Sequence, residues 1–276
     1  MNRGKRSTSE SALTPAQQPQ GTHATLLAMV NAPSAVSRRR RHGSVAHDLA
    51  VEIIAGRLAP GDTLPNEEQL SGDLGVSRTA LREAIRILGA KGFLHSRPRT
   101  GTRINPRARW NMLDPDVLSW HFEVEPSAEF IASLFELRRI VEPEAAALGA
   151  ERRGADELER MRAALGDMGD APTGSLDGLE ADLAFHHAVL VATGNEHLLS
   201  LSSVIGSTLR WSVRLTLDVN PFAHRNSLPE HQAVFDAIAQ REPDRARSAM
   251  SLLVRHALGD TLEALRNQGL AQAAQR

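Results

Sequence analysis

The 276-residue sequence predicts a mainly α protein in two parts: a small N-terminal unit of three helices and a hairpin, then an all-helical bundle. Three observations carry that expectation. Between Ser44 and Ile104, three short stretches with apolar residues at helical spacing precede two brief runs that flank a basic tip. From Pro115 onward the apolar positions recur at helical spacing and no stretch alternates like a strand. Charge also divides between the parts. Residues 1–109 carry 17 Lys/Arg against 8 Asp/Glu, and residues 110–276 carry 15 against 25, so only the front half is suited to meet a polyanion.

Residues 1–42 are rich in Ser, Thr, Pro, Gln and Arg, have no sustained period, and read as a disordered basic tail. The run Arg38–Arg41 at its end suits sequence-independent phosphate contacts. Ser44 is placed to cap a first helix reaching about Gly56, with Val45, Leu49, Ile53 and Ile54 inward. Pro60-Gly61 breaks the chain. A second helix covers about Asn66–Leu74, capped by Asn66, and Gly75 suits the left-handed turn that ends it. Ser77 caps a third helix to about Ala90, which buries Leu81, Ile85 and Leu88. Phe93–His95 and Thr102–Ile104 read as strands, with Arg97–Gly101 as their tip. After a linker at 107–127, the bundle spans 128–267. Its candidate helices, with one in the linker, are Pro115–Phe122, Ala128–Arg152, Ala155–Met168, Leu176–Thr193, Glu196–Leu217, Leu228–Gln240 and Asp244–Asn267.

Composition excludes several classes of function. With no Cys, neither a disulfide, a thiolate metal site nor a cysteine nucleophile is available, which fits a reducing cytoplasm. No apolar run approaches the ~20 residues of a membrane helix, and the N-terminus lacks a secretory pattern. A cytoplasmic protein is expected. Aromatic residues make up 4% and Tyr is absent, which argues against single-strand binding on stacking platforms.

Helix, tight turn, arginine-bearing helix and basic hairpin, at 43–106, are the layout of a winged helix-turn-helix, which binds double-stranded DNA. Such a recognition helix buries one face and offers its N-terminal side chains to the major groove. Arg78 and Thr79 hold that end, and Arg82 lies one turn on along the same side. An arginine there can grip a guanine edge with both arms. Arg86 points toward phosphate, and Arg97, Arg99, Thr100 and Gly101 form the hairpin tip. The plain alternative is a surface helix with solvated arginines, which the whole constellation outweighs.

Residues 44–104 resemble the DNA-binding domain of the GntR family of bacterial transcription regulators, through LPNEEQL, GVSRTALREAIRIL and GFLHSRPRTGTRI. The resemblance implies that Arg78, Thr79, Arg82, Thr100 and Gly101 read DNA. One departure is Glu68, where many relatives carry an arginine.

In the acidic part, Asp182 and His186 lie four apart on one helix face. Glu230-His231 starts a later helix, and His256 sits in the last one. One carboxylate with two or three imidazoles is a workable site for a first-row divalent metal such as zinc. By spacing alone, histidines on apolar helices are more often packed than metal-bound. Residues 130–258 also resemble the C-terminal ligand-binding (FCD) domain of the GntR branch typified by the fatty-acid-responsive regulator, through FELRRIVEPEAA, DLAFHHAVLVATGNEHL and EHQAVFDAIAQREPDRARSAM. The resemblance implies a divalent metal on Asp182, His186 and His231 beneath an effector pocket. The family's fourth ligand falls three residues past Met250, at Leu253, while His256 lies about one turn later. Arg138 matches the pocket arginine, which would bind a carboxylate effector in a bidentate pair. An ordinary i+4 ion pair with Glu142 is the alternative. The segment Trp110–Trp120 resembles that of GntR repressors of sugar-acid catabolism, the galactonate type among them.

The resulting expectation is not an enzyme but a homodimeric repressor of carbohydrate-acid catabolism genes, bound to operator DNA and controlled by a small carboxylate, with no membrane partner. A metal-dependent hydrolase and an effector-independent architectural DNA-binding protein are the rival readings.

Overall fold

The computed structural model describes residues 42–98, 100–124 and 126–274, in two compact units that meet in sequence between Trp110 and Asn111. The expected tail with Arg38–Arg41 lies outside the described residues, as does Arg99.

The first unit holds helices α1 (His42–Ile54), α2 (Glu67–Asp73) and α3 (Arg78–Ala90), followed by strands β1 (Leu94–Arg97) and β2 (Gly101–Ile104). The helix α1 begins at His42, so Ser44 lies within its first turn instead of capping it. Asn66 and Ser77 are side-chain caps: the Asn66 amide oxygen accepts from Gln69 N–H at 2.9 Å, and Ser77 Oγ from Ala80 N–H at 3.1 Å. Each cap satisfies one backbone donor that a helix start leaves orphaned. The turn between α2 and α3 passes through Gly75 at φ +62°, a left-handed conformation that glycine adopts without a Cβ penalty. The buried face of α3 is Leu81, Ala84 and Leu88. Ala84 takes the place expected of Ile85, which is only half-buried, because close packing against α1 favours the smaller side chain.

β1 and β2 pair antiparallel, with Leu94 opposite Ile104 and Arg97 opposite Gly101. A third extended piece, unexpected from the sequence, flanks β2. Gly61 N–H donates to Ile104 O, Ile104 N–H to Asp62 O and Leu64 N–H to Thr102 O, at 2.9 to 3.0 Å. These bonds tie the hairpin to the segment that leads into α2. Trp110 stacks on Phe93 with centroids 4.6 Å apart, and its Nε1–H donates to Asn105 O at 3.1 Å.

The second unit is all helical: α4 (Pro115–Glu123), α5 (Ala128–Arg152), α6 (Ala155–Asp170), α7 (Leu176–Ala192), α8 (Glu196–Leu199), α9 (Ser202–Val219), α10 (Ala223–Ala239) and α11 (Pro243–Ala274). α11 lies along α5 and α10, α7 packs on α5, α6 and α9, and α4 rests on α9. Ile131, Phe135, Met161, Met168, Phe185, Val189, Val234, Ile238, Met250 and Val254 fill the core. The stretch expected as one helix from Glu196 to Leu217 is two, α8 and α9, and α10 begins at Ala223, five residues before the expected Leu228.

Candidate functional site

In the N-terminal unit, α3 presents Arg78, Thr79, Arg82 and Arg86 to solvent on the face opposite Leu81, Ala84 and Leu88. Their placement follows from an amphipathic helix whose apolar stripe is fully used by the core. Thr100 and Gly101 are exposed at the hairpin tip, Gly101 at φ +80°. The arginines of α3 do not stand free. Arg78 Nη2 donates to Glu68 Oε1 and Arg82 Nε to Glu67 Oε2, both at 2.6 Å, and Arg86 pairs with Glu83. Glu68, at the departure from the family's pattern, therefore pairs with Arg78.

In the bundle, α5, α7 and α10 bring five charged or titratable side chains into the core: Arg138 and Glu142 from α5, Asp182 and His186 from α7, and His231 from α10. All five are buried, Arg138 to 1% exposure. His231 Nε2 lies 3.0 Å from Asp182 Oδ1, and His186 Nε2 lies 3.3 Å from the same oxygen. The opposite ring nitrogens are also held. His231 Nδ1 donates to the Ser227 carbonyl at 2.9 Å, and His186 Nδ1 meets the second oxygen of Glu142.

That pattern fits a metal. His231 Nδ1–H directed at a carbonyl and His186 Nδ1 in ion-pair contact with Glu142 leave both Nε2 atoms to converge on Asp182, and a ligand atom from each of the three residues falls within 4.8 Å of the others. Outer-sphere partners on the far ring nitrogen are the usual way a ligating histidine is oriented. Two imidazole nitrogens and a carboxylate facing one point need a cation between them. Burial disfavours the charged carboxylate, yet the bonds to His186 and His231 hold Asp182 well below the usual range. Burial also opposes the charge on Glu142, but Arg138 and His186 hold it at about 2. Burial opposes protonation of His186 too, and Glu142 and Asp182 outweigh it, raising it to about 9. Without a metal, a proton is the cation.

Arg138, Asp182, His186 and His231 line one wall of a cavity of about 300 Å³. Arg138 Nε donates to Glu142 Oε1 at 2.5 Å, so the i+4 ion pair does form. It occupies only part of the guanidinium: Nη1 is buried and has no hydrogen-bond partner among the described residues. The remaining walls carry Ser212, Thr216, Asn220, Asn226, Ser227 and Thr261, together with Glu230, Asp260 and His256.

The expected histidine His256 does not join the trio. It lies on the cavity wall with its side chain about half exposed (52%), and its Nδ1 bonds to Glu230. Leu253, at the position of the family's fourth ligand, is buried against the same cavity. Asn195 caps α8, accepting from His197 and Leu198, and His187 points to solvent. Arg210 pairs with Glu180, and Trp211 stacks on Phe122, so α9 lines the cavity instead with Leu209, Ser212, Val213 and Thr216. The sequence reading missed Ser212 and Thr216. Their i, i+4 spacing on a buried helix face was the available signal.

Two family models match the chain: "Bacterial regulatory proteins, gntR family" over residues 41–104, and "FCD domain" over residues 133–256. The galactonate operon transcriptional repressor of Escherichia coli is 34% identical over 206 residues, 75% of this chain and 90% of that protein. The chain belongs to the GntR family of transcriptional regulators. This GntR regulator is also 33% identical over 214 residues to the uncharacterized regulator YieP of Escherichia coli, covering 76% of this chain and 91% of that one. Among solved structures, Lar, which controls the Listeria monocytogenes agr system, aligns with a TM-score of 0.60 at 18% identity, over 83% of this chain and 99% of Lar, a likeness of fold. The winged helix-turn-helix therefore belongs to a GntR DNA-binding domain and the helical bundle to an FCD effector-binding domain.

Proposed function

We propose that this GntR regulator is a homodimeric repressor of genes for carbohydrate-acid breakdown, whose hold on operator DNA is controlled by a small carboxylate of the sugar-acid type. The observation that carries the reading is Arg138: a buried guanidinium with Nη1 unpartnered, on the wall of a cavity otherwise rich in hydroxyl and amide groups. A buried cationic donor without a partner is costly, and a ligand carboxylate offsets that cost. The hydroxyls and amides of Ser212, Thr216, Asn220 and Asn226 offer partners to a polyhydroxy acid, which a fatty or aromatic acid would leave unused. The kinship to a galactonate operon repressor points the same way.

The domains divide as 43–106 for DNA reading, 107–127 as linker and 128–267 for effector binding. Arg78, Thr79, Arg82, Arg99, Thr100 and Gly101 read the operator, and a dimer sets two α3 helices about one DNA turn apart. Asp182, His186 and His231 would hold a divalent metal such as zinc, which when bound supplies a Lewis-acid site for the effector carboxylate. Arg138 orients that carboxylate, and Glu142 holds both Arg138 and His186. The trio is read as binding machinery and not as a hydrolytic centre, because the relatives are transcriptional regulators. A 300 Å³ polar cavity weighs against an effector-independent architectural role.

The test is a thermal-shift screen of the full chain against sugar acids and simple carboxylates, with and without EDTA. A stabilising acid is expected, since a ligand bound only by the folded state raises the melting temperature, and the shift should shrink with EDTA. An Arg138→Gln variant should lose it. If no acid shifts the melt, the effector assignment fails; if saturating acid leaves operator affinity unchanged, control by the effector fails.

A further inference from the structure

The carboxylate of Glu142 is shared. One oxygen takes Nε–H of Arg138 at 2.5 Å, and the other meets Nδ1 of His186, whose Nε2 faces Asp182. All four side chains are buried. A carboxylate divided between a fixed cation and a ligand imidazole makes each of the two sensitive to the other. We propose that Glu142 is the positioning residue that couples the effector-facing arginine to the metal trio, so that the charge on Arg138 lowers the trio's affinity for a divalent cation.

The physical chain has three steps. An imidazole whose Nδ1–H leans on a full carboxylate is a stronger σ-donor at Nε2, and loss of such an outer partner weakens metal binding 10–100-fold. Arg138 draws electron density and hydrogen-bonding capacity from that carboxylate, which reduces its pull on His186. An acid seated on Nη1 of Arg138 neutralises the guanidinium, loosens its claim on Glu142 and strengthens the ion pair of His186 with Glu142. Effector and metal then favour one another, and by linkage each tightens the other by the same factor. This inference rests on the metal reading of Asp182, His186 and His231, but it does not require the effector to be known.

The experiment measures zinc affinity by competition with a chelating dye, and the visible absorption of the cobalt(II) form, on the full chain. Four proteins are compared: wild type, Arg138→Gln, Glu142→Gln and the double variant. Releasing the Glu142 carboxylate to His186 in Arg138→Gln should tighten zinc by roughly three- to tenfold, a fraction of what a whole outer partner is worth, and Glu142→Gln should weaken it by about 10–100-fold with a shifted cobalt spectrum. In the double variant the gain from Arg138→Gln should vanish, because its route through Glu142 is gone. If the gain persists undiminished in the double variant, Arg138 acts through space and the coupling role of Glu142 is overturned. Unchanged or weaker zinc binding by Arg138→Gln overturns the proposal outright. Should Glu142→Gln fail to fold, Arg138→Gln by itself still decides the sign, and Glu142→Asp, whose shorter carboxylate gives up the contact with His186, takes its place in the cycle. A wild type that binds neither metal overturns the metal reading together with this inference, while one that binds both but lacks the coupling overturns the inference and leaves the metal reading standing.

Discussion

The sequence left Arg138 open between a helical ion pair with Glu142 and a place on the effector pocket. The ion pair forms, and Nη1 is still left without a hydrogen-bond partner among the described residues, because a guanidinium has more donors than one carboxylate can take. Leu253 is the residue where this chain departs from its family's ligand set. A Leu253→His variant places an imidazole on the cavity wall, and zinc affinity should rise by about tenfold or more, the scale on which even outer contacts act. Calorimetric titration measures it, and an unchanged affinity would show that the fourth direction is closed. Glu68 is the other departure. It is largely exposed and pairs with Arg78, so it both offsets that arginine's charge and adds a negative charge beside the exposed face of α3. Glu68→Gln should raise affinity for non-operator duplex about three- to tenfold at low salt, with the gain fading as salt rises. Fluorescence anisotropy with a labelled random-sequence duplex is the check.

At the scale of elements, the caps and the glycine turns hold the DNA-reading unit in shape. Ser77→Ala removes the side-chain cap at the start of α3 and should cost about 1 kcal/mol in urea denaturation. Gly92 is under a stricter constraint. It sits at φ +84°, and a Cβ there would lie 2.1 Å from the Arg109 carbonyl oxygen. Gly92→Ala should therefore cost at least about 2 kcal/mol, well beyond a cap, because backbone strain and a backbone clash combine. The bounds of α5 were legible from the long helical period, and the start of α3 from Ser77. The break between α8 and α9 was not. Leu201 stays near helical backbone angles (φ −79°, ψ −8°), so the apolar rhythm runs through the interruption with no Gly or Pro to mark it. The extended piece at 61–64 was equally hidden, since a few residues that pair only with β2 leave no period of their own.

At the scale of the molecule, two units with separate cores divide the chemistry as the charges divide the sequence. Ligands of one unit should therefore protect that unit's own amides. Saturating zinc should slow hydrogen exchange in peptides from α7 and α10 and leave α3 unchanged, while EDTA should reverse the effect. Hydrogen-exchange mass spectrometry on the full chain tests this, and equal protection of α3 would mean that the metal binds elsewhere. Among the described residues, no helix is long and apolar enough to cross a membrane.

By itself the sequence determined what local physics determines. Periodicity, caps and turn residues set the helices, the inward face of α3 and so the outward arginines, and the four-residue spacing of Asp182 and His186 set them on one side of α7. Only the tertiary structure decided which buried faces meet. His231 reaches Asp182 across 49 residues of chain, Glu142 lies between Arg138 and His186, and His256 turns to Glu230 instead of the trio. The reason is that a helical period reports that a face is buried but carries no record of what it is buried against. That partner is chosen by close packing of the whole bundle.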